Sequence, residues 1–168
     1  MLVYAYWPPD GGHDEEYLVF REIAVSTSKS AATPQVGVLL ARWYNPALHD
    51  RWSTTAAVPG NDSTYKLEAR SGYLMTVADA GGPAIELEDC VSQRAGHPDH
   101  LLAEKGFCET NFYERQRTAG WVYTEARSNT IPLYRCYNAQ EQSHFASNAP
   151  DCEKLGVTER LLGHALRQ

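Results

Sequence analysis

The chain reads as an all-β domain built by threefold repetition, and three observations predict it. Leu40, Leu87 and Leu133 each open a similar segment, at steps of 47 and 46 residues. A second anchor, Glu68, Glu114 and Glu159, keeps nearly the same period with steps of 46 and 45. No long stretch carries apolar residues at helical spacing, whereas short β-branched and aromatic runs recur. A fixed period of this size signals units that cannot bury their apolar faces alone and must pack against one another.

Each copy is expected to begin with a strand. That strand spans roughly six residues, such as 38–44 or 132–137, around the repeated openings Leu40-Ala41-Arg42-Trp43-Tyr44-Asn45, Leu87-Glu88-Asp89-Cys90-Val91-Ser92 and Leu133-Tyr134-Arg135-Cys136-Tyr137-Asn138. Turn chemistry follows in Asn45-Pro46-Ala47, Ala95-Gly96-His97-Pro98 and Asn138-Ala139-Gln140. Second strands are predicted over 51–55, 100–103 and 144–147. A variable stretch comes next, with a short helical turn expected near Asn148-Ala149-Pro150-Asp151. The last elements are Gly72-Tyr73-Leu74, Gly120-Trp121-Val122 and Gly163-His164-Ala165. Three such units closing around a pseudo-threefold axis remove exposed strand edges, and a β-trefoil-like ring is the common solution at this length.

The repeats occupy about 36–82, 83–129 and 130–168, so the domain runs over 36–168. Residues 1–35 form an N-terminal arm outside the repeat. The arm holds an apolar strand-like stretch over 16–25 and a Ser/Thr/Ala-rich linker ending near Pro34 and Gln35. Tyr4, Tyr6 and Trp7 are expected to pack onto the main body. Met1–Pro9 has no basic start, and Pro8 and Pro9 stop its apolar run, so it is expected to open a mature chain and not to be a signal peptide.

Composition narrows the function classes. A length of 168 residues suffices for one domain with a real core. A net charge of −6 without a basic cluster excludes nucleic acid as the expected partner. No apolar run approaches a membrane span, so no membrane insertion is expected.

The four cysteines fill two shared repeat positions. Cys90 and Cys136 end the first strand of their copies, and Cys108 and Cys152 precede the Glu-Arg segment. Of three possible connectivities, only Cys90–Cys108 with Cys136–Cys152 respects the repeat. Each bridge closes a loop worth about 3 kcal/mol in the chain-entropy account. Disulfides imply an oxidising compartment, hence a secreted, extracellular protein. A four-cysteine zinc site normally has close CxxC-like pairs, and none exists here.

The segments Leu133-Tyr134-Arg135-Cys136-Tyr137-Asn138 with Ser143-His144-Phe145-Ala146-Ser147, and Arg42-Trp43-Tyr44-Asn45-Pro46 with Asp50-Arg51-Trp52-Ser53-Thr54-Thr55, carry a family resemblance. The chain resembles a threefold-repeat domain of unknown function appended to secreted bacterial and fungal hydrolases. The second copy keeps Asp99-His100 but has Val91-Ser92 in place of Tyr-Asn. A more distant resemblance is to ricin-B-type trefoil lectins, which share a bridge inside the repeat, although their Gln-x-Trp signature is missing. The resemblance implies a secreted accessory module and names no ligand.

Catalysis has no sequence support. Nucleophile elbows, HExxH helices and phosphate or dinucleotide loops are missing, so neither an enzyme nor a cofactor is expected. Glu68, Glu114 and Glu159 sit at three equivalent places, whereas catalysis needs different groups converging on one. Their expected role is an ion pair with Arg70, Arg115 and Arg160. His97-Pro98-Asp99-His100 has the look of a metal pair but lacks a third ligand, and no metal is expected. Asp10–Glu16 reads as a solvated acidic loop, and Asn61-Asp62-Ser63 is a glycosylation sequon.

Carbohydrate binding remains. Sugars need an aromatic face and polar side chains for the hydroxyls. The candidates are Tyr44, Asn45, His49, Asp50 and Arg51 in the first copy, Asp99 and His100 in the second, and Tyr137, Asn138, Gln140 and His144 in the third. Asn45 and Asn138 equally suit turn capping. Trp52, Leu101 and Phe145 share a position that is always apolar, which suits a core. Up to three shallow sites would act through avidity on a glycan or extracellular polysaccharide. The alternative is a protein-interaction or protease-inhibitor module.

Overall fold

The computed structural model describes residues 37–57, 64–78, 82–92, 96–108 and 112–167. The N-terminal arm, the sequon at Asn61 and the acidic loop at Asp10 lie outside the described residues. The described part is all-β, with nine antiparallel strands and one 3-10 turn.

The strands fall into three units with one pairing plan. The first is β1 (Gly37–Asn45), β2 (Asp50–Thr54) and β3 (Lys66–Met75). The second is β4 (Ala84–Ser92), β5 (His100–Glu104) and β6 (Tyr113–Tyr123). The third is β7 (Thr130–Asn138), β8 (Ser143–Ser147) and β9 (Val157–Leu166). In each, the first strand pairs with the second on one edge and the third on the other. Two register shifts interrupt each first-to-third ladder at matching places, for instance between Asp89 and Cys90 and between Arg135 and Cys136.

The third strands join the units. Met75 faces Trp121, Tyr123 faces His164, and Leu166 faces Tyr73. Gly72, Gly120 and Gly163 make this approach possible. A Cβ on Gly120 would stand 2.7 Å from the Leu74 Cβ, and one on Gly163 would stand 2.6 Å from a Val122 methyl carbon. All three glycines have positive φ, which bends the long strands inward. The fully buried Leu40, Leu87 and Leu133 meet Leu74, Val122 and Ala165 in the central core.

Both cysteine pairs form inside their units. Cys90–Cys108 and Cys136–Cys152 have Cα separations of 5.7 and 5.9 Å, within the usual disulfide range. Each bridge anchors a small satellite core, with Leu101, Ala103 and Tyr113 beside one and Phe145 and Tyr134 beside the other. Trp43 takes the bridge position in the first unit, since Trp43, Cys90 and Cys136 face Trp52, Leu101 and Phe145.

The structure departs from the expected elements in two places. The Glu-Arg segments are the opening half of the long third strands, and the helical turn sits at Cys152–Lys154, just after the expected position. The glutamate row also shifts. Ala69, Arg117 and Arg160 face Arg42, Asp89 and Arg135, so the counterpart of Glu68 and Glu159 is Gln116. Glu114 lies two residues earlier, opposite Val91. Matching the Glu-Arg dipeptide misplaces it because the register shifts, and not the local motif, set the pairing.

Candidate functional site

The hairpin strands β2, β5 and β8 touch one another and make three seams between units. Their outer edges carry backbone N–H groups with no ladder partner, and side chains from the neighbouring unit accept them. Asp99 Oδ1 accepts from His144 N at 2.7 Å, Ser143 Oγ accepts from Arg51 N at 2.9 Å, and Ser53 Oγ accepts from Ala146 N at 2.8 Å. This closes the edges that invite aggregation.

At the first seam Asp50 is fully buried. It accepts a hydrogen bond from Tyr65 Oη at 2.6 Å and pairs with His100 Nδ1 at 2.8 Å. The second seam repeats the arrangement: Asp99 accepts from Tyr113 Oη at 2.6 Å and pairs with His144 Nδ1 at 2.8 Å. The third seam has changed all three members. Ser143 replaces the aspartate, Arg51 the histidine, and Gly156 precedes Val157 where Tyr65 and Tyr113 precede Lys66 and Glu114.

What fills each seam differs. Trp52 stacks on His100 at 4.4 Å in the first, and its indole N–H donates to Asp89. Burial pushes the Asp89 carboxyl up, against the hydrogen bonds from Thr54 and Trp52. In the third, the Arg51 guanidinium lies 4.4 Å over the Tyr44 ring, reaches Glu68 at 3.3 Å and pairs with Glu141. Tyr44 Oη also donates to Glu141, at 2.7 Å.

The second seam opens into a cleft of about 250 Å³. Phe112, Tyr113 and Tyr137 supply aromatic walls, and Ser92, His97, Asp99, Gln142, His144 and Glu159 supply polar groups. Leu101 stands where Trp52 closes the first seam, and it is not part of the cleft wall. His144 lies between two carboxylates, with Asp99 at Nδ1 and Glu159 3.4 Å from Nε2. Burial opposes its charge, but the hydrogen bonds and attraction from both carboxylates win and raise its pKa to about 9. Asp99 is held below its usual value, because its His144 and Tyr113 hydrogen bonds outweigh burial. Glu159 is lowered first by its hydrogen bond with His144.

Of the residues proposed from sequence, Asp99, Tyr137 and His144 come together in this cleft. Asp50 and His100 belong to the first seam, and Tyr44 and Arg51 to the third. Asn45 Oδ1 accepts from the N–H groups of Ala47 and Leu48, and Asn138 Oδ1 from those of Gln140 and Glu141. Both asparagines thus cap turns, with Asn45 buried and Gln140 exposed beside Asn138. His49 is exposed, with a positive φ and Glu141 3.9 Å away. His97 and His100 part company, since one lines the cleft and the other bonds Asp50. Among the described residues no cluster of three metal-ligating side chains forms.

Sequence reasoning passed over Phe112, Tyr113 and Gln142. The repeat pattern held a signal for Tyr113, because Tyr65 holds the same place in the first unit. The expected ion pairs also re-sort. Glu68 binds Arg42 and Arg51, Glu159 binds Arg135 and His144, Arg115 binds Glu88, and Arg160 binds Glu104. Glu114 and Arg115, like Glu159 and Arg160, are adjacent on a strand and point to opposite faces, and Glu68 finds Arg42 across the ladder in preference to Arg70 two residues along its own strand.

No protein-family model matches the chain, and neither a curated protein nor a solved structure matches it.

Proposed function

We propose that residues 36–168 are a β-trefoil-like, secreted, non-catalytic module that binds carbohydrate at the second seam. The carrying observation is the cleft itself, where Phe112 and Tyr137 stand beside Asp99, Gln142 and Glu159. An aromatic face takes the C–H side of a sugar ring, and the carboxylates and amide take its hydroxyls. The cleft is smaller than the roughly 300–1,000 Å³ of ordinary small-molecule pockets, which suits a single pyranose at a chain end or branch.

Other features support the rest of the reading. The matching contacts Met75–Trp121, Tyr123–His164 and Leu166–Tyr73 support a ring with pseudo-threefold symmetry. Two disulfides favour an oxidising compartment, and no described helix is long and apolar enough to cross a membrane. The kinship with repeat domains of secreted hydrolases belongs to the same proposal. Absence of catalysis is favoured by the charge states: Asp99 and Glu159 are held ionised and His144 is held protonated. A general acid or base works best with a pKa near the operating pH.

A glycan array with the purified chain tests the reading, followed by titration of the hits. Tyr137→Ala is expected to abolish binding and Gln142→Ala to weaken it severalfold, while the far-ultraviolet circular dichroism and the cooperative thermal transition are retained. A blank array, or hits indifferent to both substitutions, overturns it.

A second reading, a protein-binding module, rests on Phe107 and Phe112, which are 64% and 60% exposed on the connection between β5 and β6. A protease-inhibiting version of it predicts near-stoichiometric loss of protease activity that sugars do not relieve.

A further inference from the structure

We infer that the cleft at the second seam selects uncharged pyranoses and rejects uronates and sulfated sugars. The inference rests on the carbohydrate reading above and specifies its ligand class. It follows from how the charged groups of the cleft spend their hydrogen bonds. Among the described residues the wall holds no lysine or arginine, and both ring nitrogens of His144 face carboxylates, Asp99 at 2.8 Å and Glu159 at 3.4 Å. Both His144 N–H groups are thus spent on carboxylates, and among the described lining residues no guanidinium or ammonium offers the charged donors on which anion recognition relies.

The groups that remain suit hydroxyls. Glu159 Oε2 takes Arg135 and His144, while Oε1 has no protein hydrogen bond among the described residues. The Gln142 amide, the Tyr137 hydroxyl and the His97 ring likewise make no side-chain hydrogen bond among the described residues. A sugar hydroxyl donates to a carboxylate and accepts from an amide at once. A ligand carboxylate in the same place meets Asp99 and Glu159 with like charge, while His144 and Arg135 already face those carboxylates and the described lining holds no lysine or arginine. The net charge of −6 adds to this repulsion over the longer range.

The test is a saturation-transfer NMR and calorimetric titration of the full chain with methyl glucoside and methyl galactoside against the matching methyl uronates. The neutral glycosides are expected to bind at least about tenfold more tightly than their uronates. Glu159→Gln is expected to narrow that ratio severalfold. Gln142→Lys, which places a cation on the exposed side of the cleft, is expected to do the same and covers the case in which the first variant misfolds. Equal or tighter binding of the uronates, or an unchanged ratio in folded variants, overturns the inference and leaves the carbohydrate reading in place. If neither glycoside class binds and the array is blank, the carbohydrate reading falls and this inference with it.

Discussion

Asp99 holds His144 twice, accepting from its backbone N–H at 2.7 Å and from its Nδ1 at 2.8 Å. One carboxylate therefore closes the edge of β8 and places the imidazolium between itself and Glu159. The second and third units are joined by this contact, and the cleft takes its charge pattern from it.

That pairing makes stability depend on pH in a defined direction. The folded pKa of His144, about 9, lies above its ordinary value of 6.5. Its contribution is fully present below the ordinary value and is lost as pH rises through the folded one. Asp99 and Glu159 are depressed, so their contributions are present above the ordinary carboxylate range and are lost as pH falls. Stability should peak on the mildly acidic side and fall by on the order of 2–3 kcal/mol upon alkalinisation. Urea midpoints between about pH 6 and pH 10 measure it, and His144→Gln should flatten the alkaline limb.

The first seam gives an independent stability test. Asp50 is fully buried and serves both Tyr65 and His100. Asp50→Ala removes the acceptor and leaves two half-buried partners, Tyr65 and His100, without it, a loss of about 2–3 kcal/mol. In a double-mutant cycle with Tyr65→Phe, the two losses should fall short of additivity, because each removes the same hydrogen bond. Strict additivity would count against the contact.

The glycines separate backbone strain from steric clash. Gly106 and Gly120 both have positive φ, but a Cβ on Gly106 meets nothing within 4 Å. Gly106→Ala should cost about 1 kcal/mol, the strain alone. Gly120→Ala adds a collision with Leu74 and should cost about 3 kcal/mol or more. Equal losses in chemical denaturation would contradict the close approach of β3 and β6.

The bridges are open to direct chemical test. Peptide mapping without reduction should yield only Cys90–Cys108 and Cys136–Cys152 linkages. Replacing Cys136 and Cys152 together by serine should lower stability by about 3 kcal/mol. A linkage between units would refute the pairing.

How much of this was legible in the chain varies by residue. Leu40, Leu87 and Leu133 were readable as equivalent because an apolar residue facing a shared core is constrained alike in every copy. Both cysteine pairs were readable for a similar reason, since a bridge inside a unit is copied with the unit. The cleft was less so. Its aspartate and histidine stand in different copies, Phe112 and Gln142 belong to no shared motif, and Tyr113 is matched by Tyr65 but by glycine, Gly156, in the third unit.

Period, strand character and bridge pattern are local properties, written into neighbouring residues and copied with them. The seams are not local. Asp50 and His100, or Asp99 and His144, meet only after strands from different units pack side by side, 50 and 45 residues apart in the chain. Folding also decides which seam stays open: Trp52 covers the first, Arg51 with Glu141 fills the third, and the cleft lies in the second. The physical reason is that a side chain's fate depends on the volume and charge of neighbours supplied by another strand, which no window of sequence contains.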